Sequence, residues 1–363
     1  MLIWQSQWLK GGAMTRKYIY GIVDTYRTII LNTEETLTTH GVYLLRHNGL
    51  GAVVGDCPDI EISSLPKEDI IRCLLKHQRA VEQIMRQADV LPVKFGTILA
   101  TDREVLQLLS QGRQLFSSEL ANMRDKVEYE VAARWDTQKV LSDISAEDDI
   151  CRARNDLAGR GPVAVEDRIR LGKMVKAAMD RKRVSYRKSI IDLLDKLAVD
   201  RKINPLISDD LVTNIAFLIN KRELNAFDNA VKQLNDYFNN QLDFHIIGPL
   251  PPYSFATVEV STVDSAKIEQ AMKLLGLKGV CSESDIKKAY RHVAAAIHPD
   301  SHTGGENAKA RFITLRQASD LLIAWRRAQA ITRGDFLISI NRPNHDREAT
   351  EACFGDSQVL VGV

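Results

Sequence analysis

The segment Gly248-Pro-Leu-Pro-Pro-Tyr-Ser-Phe255 marks the point where one part of the chain ends and another begins. Before it, residues 242–247 alternate between apolar and polar side chains, the period-two pattern of a half-buried strand. Its three prolines remove backbone donors and fix φ, so the strand should bend or stop there. Tyr253 and Phe255 stand two apart and are predicted to share one face of a resumed extended segment. We therefore expect a two-part body before this segment and an appended module after it.

The composition is that of an ordinary soluble globular protein. The 363 residues are enough for two or three domains with a sizeable core. A net charge of +2 is too balanced to indicate nucleic acid or an anionic membrane as the main partner. The five cysteines are odd in number and scattered, which favours a reducing cytosol over a disulfide framework. No apolar run approaches the roughly 20 residues of a membrane-spanning helix, so we expect a cytoplasmic protein.

The N-terminal part predicts an α+β domain over residues 14–122. Residues 1–13 lack the apolar core of a signal peptide and are interpreted as a tail, with Met14 as a natural second start. Short β-rich runs and amphipathic helices then alternate, with Asn48-Gly49 as a hairpin turn. The predicted strands cover residues 18–23, 42–45, 50–54 and 91–97, and the predicted helices start at Pro66 and at Asp102, taken as an N-cap.

A second domain is predicted over residues 123–260. A strand at 126–131 is followed by a long helical region to about residue 200, and then by further elements at helical or strand spacing. This order fits a ferredoxin-like α+β sandwich with an expanded first crossover. Its basic stretch, Arg181-Lys-Arg183, is interpreted as the solvated face of a helix because acidic residues stand nearby. The later elements are a strand at 211–219, a helix opened by a capping box of Asn220 and Glu223, and the strand at 242–247.

Roughly residues 14–256 resemble the GvpL/GvpF family of gas-vesicle proteins. The matching segments come in the family's order and end on the closing segment 248–255. Glu130 and Ala132 depart from it, since the family often has a glycine and a lysine there. The resemblance implies an accessory protein needed to assemble the gas-filled shell, with the shell protein and other accessory proteins as partners. The matching segments are 18–22, 77–82, 91–97, 201–206, 214–219 and 227–228.

The appended module is predicted to be a small helical hairpin. After a polar linker at 261–265 come a short helix at 271–277, a second helix that Ser284 can cap, and a third helix. The second and third helices carry apolar stripes that can bury against each other. His298-Pro299-Asp300 lies between them. With this arrangement, residues 268–328 resemble the J-domain of DnaJ-type co-chaperones.

The J-domain resemblance implies a DnaK-type chaperone as a partner. Its implied binding residues are Lys287, Lys288, Arg291, His298, Pro299 and Asp300. The segment Ala294-Ala-Ala-Ile297 lacks the usual basic and aromatic residues, and Ser301 replaces the usual lysine, so weak activity is expected. The other interpretation is a module that survives only as a packed hairpin. Residues 334–363 show little periodicity and predict a mobile tail.

No catalytic constellation, cofactor motif or metal site is apparent. Cys73 and His77 could share a helix face, but two ligands do not make a closed zinc site. Phosphate-loop, dinucleotide and nucleophile-elbow motifs are missing from the sequence. The resemblance to the gas-vesicle family implies binding and assembly at the gas vesicle as the preferred function, and no motif favours catalysis. A general J-type co-chaperone with the body as client adaptor is the alternative, and a metal-dependent enzyme ranks third. We also expect residues 14–256 to fold without the appended module.

Overall fold

The computed structural model describes residues 15–24, 29–30, 37, 41–59, 62–159, 164–262, 265–279, 281–296, 306–331 and 336–342. These residues form two compact units. One contains the described residues up to Arg124 together with Ala256–Asn341, and the other contains Asp125–Phe255. Both units mix helices with antiparallel sheets, so the predicted α+β class is confirmed. Each helix among the described residues is too short or too polar to cross a bilayer.

The first unit is built on an antiparallel sheet with the strand order β2-β3-β1-β4, and β5 also pairs with β1. The central position of β1 explains why residues 18–23 are all buried. Asn48 and Gly49 have φ of 48° and 88°, as a two-residue hairpin turn requires, so the predicted turn is confirmed. The strands are β1 (Thr15–Asp24), β2 (Val42–His47), β3 (Leu50–Pro58), β4 (Val90–Pro92) and β5 (Ile98–Leu99).

The predicted strand at 91–97 is too long. The strand β4 ends at Pro92, and the chain then turns, since the Thr97 amide donates to the Lys94 carbonyl at 3.2 Å. Gly96 has a φ of 85°, which a strand does not contain. The run of strand-forming residues therefore breaks at a turn that only Gly96 signals.

Three helices of the first unit are α1 (Lys67–Met85), α2 (Asp102–Gln111) and α3 (Arg113–Met123). The prediction that Asp102 is the N-cap of α2 is wrong by one residue. Thr101 is the N-cap, and its hydroxyl accepts from the Glu104 amide at 3.2 Å. Asp102 is instead the first helical residue, with a carboxylate oxygen 3.2 Å from Lys17 Nζ. Either residue type can cap, and this ion pair favours the observed start.

The second unit has the ferredoxin-like arrangement that the element order predicts. Its strand order is β7-β8-β6-β9, and each neighbouring pair is antiparallel. Three helices between β6 and β7 expand the first crossover. The elements are β6 (Lys126–Trp135), α4 (Thr137–Ser145), α5 (Asp148–Ala158), α6 (Val165–Leu194), β7 (Asp200–Ile203), β8 (Leu211–Asn220), α7 (Leu224–Tyr237) and β9 (Leu242–Leu250).

The helix α7 is anchored by its apolar stripe rather than by a capping box. The Phe227 ring lies 5.2 Å from the ring of Tyr129 and 5.7 Å from that of Phe217, between centroids. The predicted capping box of Asn220 and Glu223 is not formed, because a 3-10 turn over Lys221–Glu223 comes before the helix. Aromatic packing on the sheet therefore holds this helix in place.

The basic stretch of α6 is paired with acidic residues of the same unit. Arg181 and Lys182 form ion pairs with Glu147 and Asp143, at 3.4 and 3.2 Å, on an exposed surface. Arg183 differs from the predicted solvated face, since its side chain is only 14% exposed and its guanidinium lies 4.9 Å from the centroid of the Trp135 ring. The stretch thus ties α6 to its neighbours.

The elements from β10 onward join the first unit and correct two predicted boundaries, whereas Tyr253–Phe255 of the short helix before β10 still belong to the second unit. The strand β10 covers residues that were assigned to the second domain and the linker, and β11 lies in the predicted mobile tail. The two strands pair over six residues each. Residues 336–340 do carry an apolar strand pattern, with Phe336, Ile338 and Ile340 two apart, and sequence reasoning missed it. The elements are α8 (Tyr253–Ala256), β10 (Thr257–Thr262), α9 (Ser265–Leu274), α10 (Glu283–Ala296), α11 (Glu306–Ile331) and β11 (Phe336–Asn341).

Candidate functional site

The helices α9, α10 and α11 bury a hydrophobic cluster of their own. Ile286 of α10 is 1% exposed, and Leu315 and Leu322 of α11 are 1% and 0% exposed. The rings of Tyr290 and Phe312 lie 6.4 Å apart across the same pair of helices. The apolar stripes predicted from the sequence therefore meet, as in a helical hairpin. The rest of the cluster is Ile268, Ala271, Leu275, Cys281 and Ala318.

The start of α10 is fixed by a reciprocal cap. The Ser282 hydroxyl accepts from the Asp285 amide at 3.2 Å, and the Asp285 carboxylate accepts from the Ser282 amide at 3.0 Å. These Ser282 hydrogen bonds hold the pKa of Asp285 below its usual range. The prediction that Ser284 caps the helix is therefore wrong by two residues. Both serines were available, and only Ser282 has an acidic residue three positions later.

The outer face of α10 carries three of the predicted partner-binding residues. Lys287, Lys288 and Arg291 are all exposed. Lys287 Nζ lies 2.7 Å from a carboxylate oxygen of Glu283, one turn earlier. Arg291 Nε donates to the Lys287 carbonyl at 3.3 Å, which aligns its side chain along the helix. We call the three cations the basic face of α10. His298, Pro299 and Asp300 lie outside the residues that the structure describes.

The closing segment 248–255 is held by close packing against β6. Gly248 has a φ of 156°, and a Cβ there would stand 2.8 Å from Tyr129 Cδ1 and 3.1 Å from the Glu128 carbonyl oxygen. Only glycine fits so near another backbone. The strand β9 continues through the first proline to Leu250, with a register shift between Ile247 and Leu250, so the predicted bend or stop is an irregularity in the ladder and not its end. Tyr253–Ala256 then form a helical turn, so the predicted extended segment is wrong there.

Glu128 is a buried carboxylate that sequence reasoning missed. Its side chain accepts from the Ser254 amide at 2.7 Å and from the Ser254 hydroxyl at 2.8 Å. The residue is 4% exposed, and its burial raises its pKa from 4.5 to about 7. The alternation of β6 places the Glu128 side chain on the other face of the strand from its apolar neighbours. The pattern does not reveal that the helical turn after β9 covers this carboxylate.

His77 is a packed core residue. It is 2% exposed, its Nδ1 lies 2.8 Å from the Tyr18 hydroxyl, and its ring stacks on Tyr20 at 5.9 Å between centroids. Burial lowers its pKa to about 4. Within the described ranges there is no group of three potential metal ligands, at Cys73 or elsewhere. These contacts join α1 to the first sheet.

The helices α5 and α6 line an open groove of mixed polarity. The groove has a volume of about 430 Å³. Val165 and Ile169 of α6 are 64% and 52% exposed, and at about 100° per residue they fall on the side of the helix opposite to its lining residues. The apolar lining residues are Ala153, Leu157, Leu171 and Met174, and the charged ones are Asp149, Arg152, Asp156, Asp167 and Arg170.

Comparisons with known proteins match two parts of the chain. The family model "Gas vesicle synthesis protein GvpL/GvpF" matches residues 16–257, and the model "DnaJ domain" matches residues 271–329. "Gas vesicle protein F" of Streptomyces sp. is 32% identical over 217 residues, which are 59% of this chain and 87% of that protein. "Chaperone protein DnaJ 2" of Cutibacterium acnes is 41% identical over 63 residues, 17% of this chain and 16% of that protein.

The fold of the body is that of a solved structure. The crystal structure of the gas vesicle protein GvpF from Anabaena sp. superposes with a TM-score of 0.58 at 22% identity. The superposition covers 66% of this chain and 97% of that one. A second crystal structure, of GvpF from Microcystis aeruginosa, gives a TM-score of 0.52 over 66% of this chain and 98% of that one, at 20% identity.

Proposed function

Because the chain belongs to the GvpL/GvpF family of gas-vesicle proteins, we propose that it assists shell assembly in the cytoplasm by binding the apolar shell subunit. The observation that carries this proposal is the family match over residues 16–257. A small, strongly apolar subunit exposes apolar surface before it polymerises, and such surface causes aggregation in water. A protein that covers this surface until the subunit joins the growing shell prevents the aggregation. The role is binding and assembly rather than catalysis.

The groove between α5 and α6 is the surface that we assign to the shell subunit. Its four apolar lining residues can contact an apolar helix or strand of the subunit. Arg152 and Arg170 offer hydrogen-bond donors for the polar edge of such a segment. The lining residues Asp149, Asp156 and Asp167 offer acceptors.

Co-expression with the shell subunit tests this assignment. The full chain should keep the subunit in the soluble fraction and co-purify with it. Leu171→Asp should lower the recovered subunit at least tenfold, because a charge would enter the apolar contact at a cost of ~2 kcal/mol or more. Ile169→Asp is the matched control, since Ile169 lies on the same helix, is 52% exposed and faces away from the groove. Equal recovery with both variants would contradict the assigned groove, and no recovery with the unaltered chain would contradict the proposed function.

We further propose that the appended module at residues 268–328, called the J module from here on, recruits a DnaK-type chaperone. It would do so through the basic face of α10 and through His298, Pro299 and Asp300. The DnaJ-domain match over residues 271–329 supports this role. Charges on an exposed face mainly steer the encounter and set the association rate. Exposed charge pairs contribute less than about 1 kcal/mol each, so the departures at Ala294, Ala295 and Ser301 should weaken the interaction without abolishing it.

Single-turnover ATPase measurements with the cognate DnaK test the J module. The full chain should stimulate hydrolysis weakly, and Asp300→Asn should remove the stimulation. Truncating one member of a desolvated charge pair typically costs about 2–5 kcal/mol, more than losing an exposed lysine. Equal rates with the unaltered chain, the variant and no added protein would mean that the module is only a scaffold. A general co-chaperone would instead promote refolding of unrelated substrates as well as it protects the shell subunit.

A further inference from the structure

The J module is bracketed by two strands that pair with each other. The strand β10 precedes α9, and β11 follows α11, so the module is an insertion between the partners of one antiparallel ladder. The register is continuous from Thr257 opposite Asn341 to Thr262 opposite Phe336. A module attached at both ends by paired strands has far less freedom than one on a single flexible linker.

Both strands are also anchored in the hydrophobic core of the first unit. Val258 is 0% exposed, and Phe336 and Ile338 are 3% and 1% exposed. All three belong to the core cluster that contains Leu91 and the helix α3 residue Phe116. Phe336 and Ile338 stand two apart and therefore share one face of β11, which is the face turned to that core.

A second set of contacts connects β10 to the segment after β4. Val93 forms a parallel bridge with Val258, and the Lys94 amide donates to the Val258 carbonyl at 2.9 Å. Lys94 Nζ lies 3.3 Å from a carboxylate oxygen of Glu259. An isolated bridge, a backbone hydrogen bond and an ion pair thus join the two-stranded sheet of β10 and β11 to the segment after β4.

The strand β11 lies outside both stretches that match known families. The GvpL/GvpF match ends at residue 257, and the DnaJ-domain match ends at residue 329. The module has its own core, so it does not need β11 to bury its helices. Phe336 and Ile338 contribute instead to the core of the first unit.

We infer that β11 is a docking strand that locks the J module onto the N-terminal domain. In the docked state the basic face of α10 is presented at one position relative to the first sheet. This inference rests on the proposed function in one respect: a chaperone recruited to the module is then held at a fixed place relative to the first sheet of a chain that binds the shell subunit. Undocking leaves the module folded and able to stimulate the chaperone, but it releases the chaperone from that fixed place.

Disulfide trapping tests the docked state without reference to function. Glu259 and Ser339 are direct partners in the ladder, so Glu259→Cys with Ser339→Cys should form a disulfide nearly completely under mild oxidation. Glu259→Cys with Asn341→Cys, two residues out of register, should react at least tenfold more slowly. The native cysteines Cys151 and Cys353 are first replaced by serine. Equal rates for the two pairs would overturn the docked arrangement.

Vesicle formation by an undocked variant tests the consequence. Phe336→Ser with Ile338→Ser should lower the vesicle yield at least tenfold in a complemented deletion strain, while DnaK stimulation stays within twofold. The control is Leu337→Ser, on the same strand but the opposite face, which should keep the yield. A normal yield from the double variant would overturn the inference. Absence of vesicles with the unaltered chain would overturn the proposed function and leave the trapping result standing. Hydrogen exchange of β1 and β3 verifies that the first sheet stays folded.

Discussion

A host that forms gas vesicles should form none, or only stunted ones, when the gene for this chain is deleted. The expectation follows from the family match over residues 16–257 and from the aggregation of an unprotected apolar subunit. Loss of such protection lowers the concentration of subunit that is able to polymerise. The number of shells should then fall by a larger factor than this concentration does. Electron microscopy and buoyancy of the deletion strain measure the result.

Complementation separates the parts of the chain. The full chain should restore vesicles, and the Leu171→Asp variant should not. Asp300→Asn should restore them only in part, because the J module is expected to assist rather than replace binding of the subunit. Vesicles of normal number and shape in the deletion strain, with no paralogue present, would refute the assembly role.

Local patterns in the sequence predicted the elements whose signal lies in adjacent residues. The β-rich run at 18–23 became the central strand β1, and Asn48-Gly49 became the hairpin turn. The stripes of α7 and of the J module became buried clusters. Periodicity reports which face of a helix is apolar, and in these helices one apolar face determines the packing.

The errors occurred where the outcome depends on a distant partner or on a choice between adjacent residues. Sequence reasoning missed β11, whose partner β10 lies before the whole J module. Thr101 and Ser282 are the N-caps in place of the predicted Asp102 and Ser284, because the predicted residues, one or two positions away, are also of a capping type. The basic face of α10 follows from helical spacing, and its exposure agrees with it. That this face binds DnaK stays a prediction.

Glu128 makes the stability of the second unit depend on pH in an unusual direction. Below about pH 4.5 its carboxyl is protonated in both the folded and the unfolded chain, so its burial carries no charge penalty. Between 4.5 and about 7 the unfolded chain releases the proton while the folded chain retains it, so stability falls as the pH rises. Above about pH 7 the carboxylate is ionised in both states, and the full cost of burying its charge applies. Each pKa unit corresponds to about 1.4 kcal/mol, so the shift from 4.5 to about 7 corresponds to about 3 kcal/mol.

The change in the free energy of unfolding caused by Glu128→Gln should therefore be about 3 kcal/mol more favourable at pH 8 than at pH 4.5. A neutral amide can accept from the Ser254 amide through its oxygen and donate to the Ser254 hydroxyl through its nitrogen, as the protonated acid does. Urea unfolding monitored by Trp135, which lies in the same strand, reports on this unit once Trp4, Trp8 and Trp325 are replaced by phenylalanine. Because the comparison is a difference between two pH values, any constant effect of the substitution cancels. Parallel stability curves for the two proteins from pH 4.5 to 8 would mean that the Glu128 carboxylate is ionised in the folded chain without penalty, and that Ser254 alone offsets its burial.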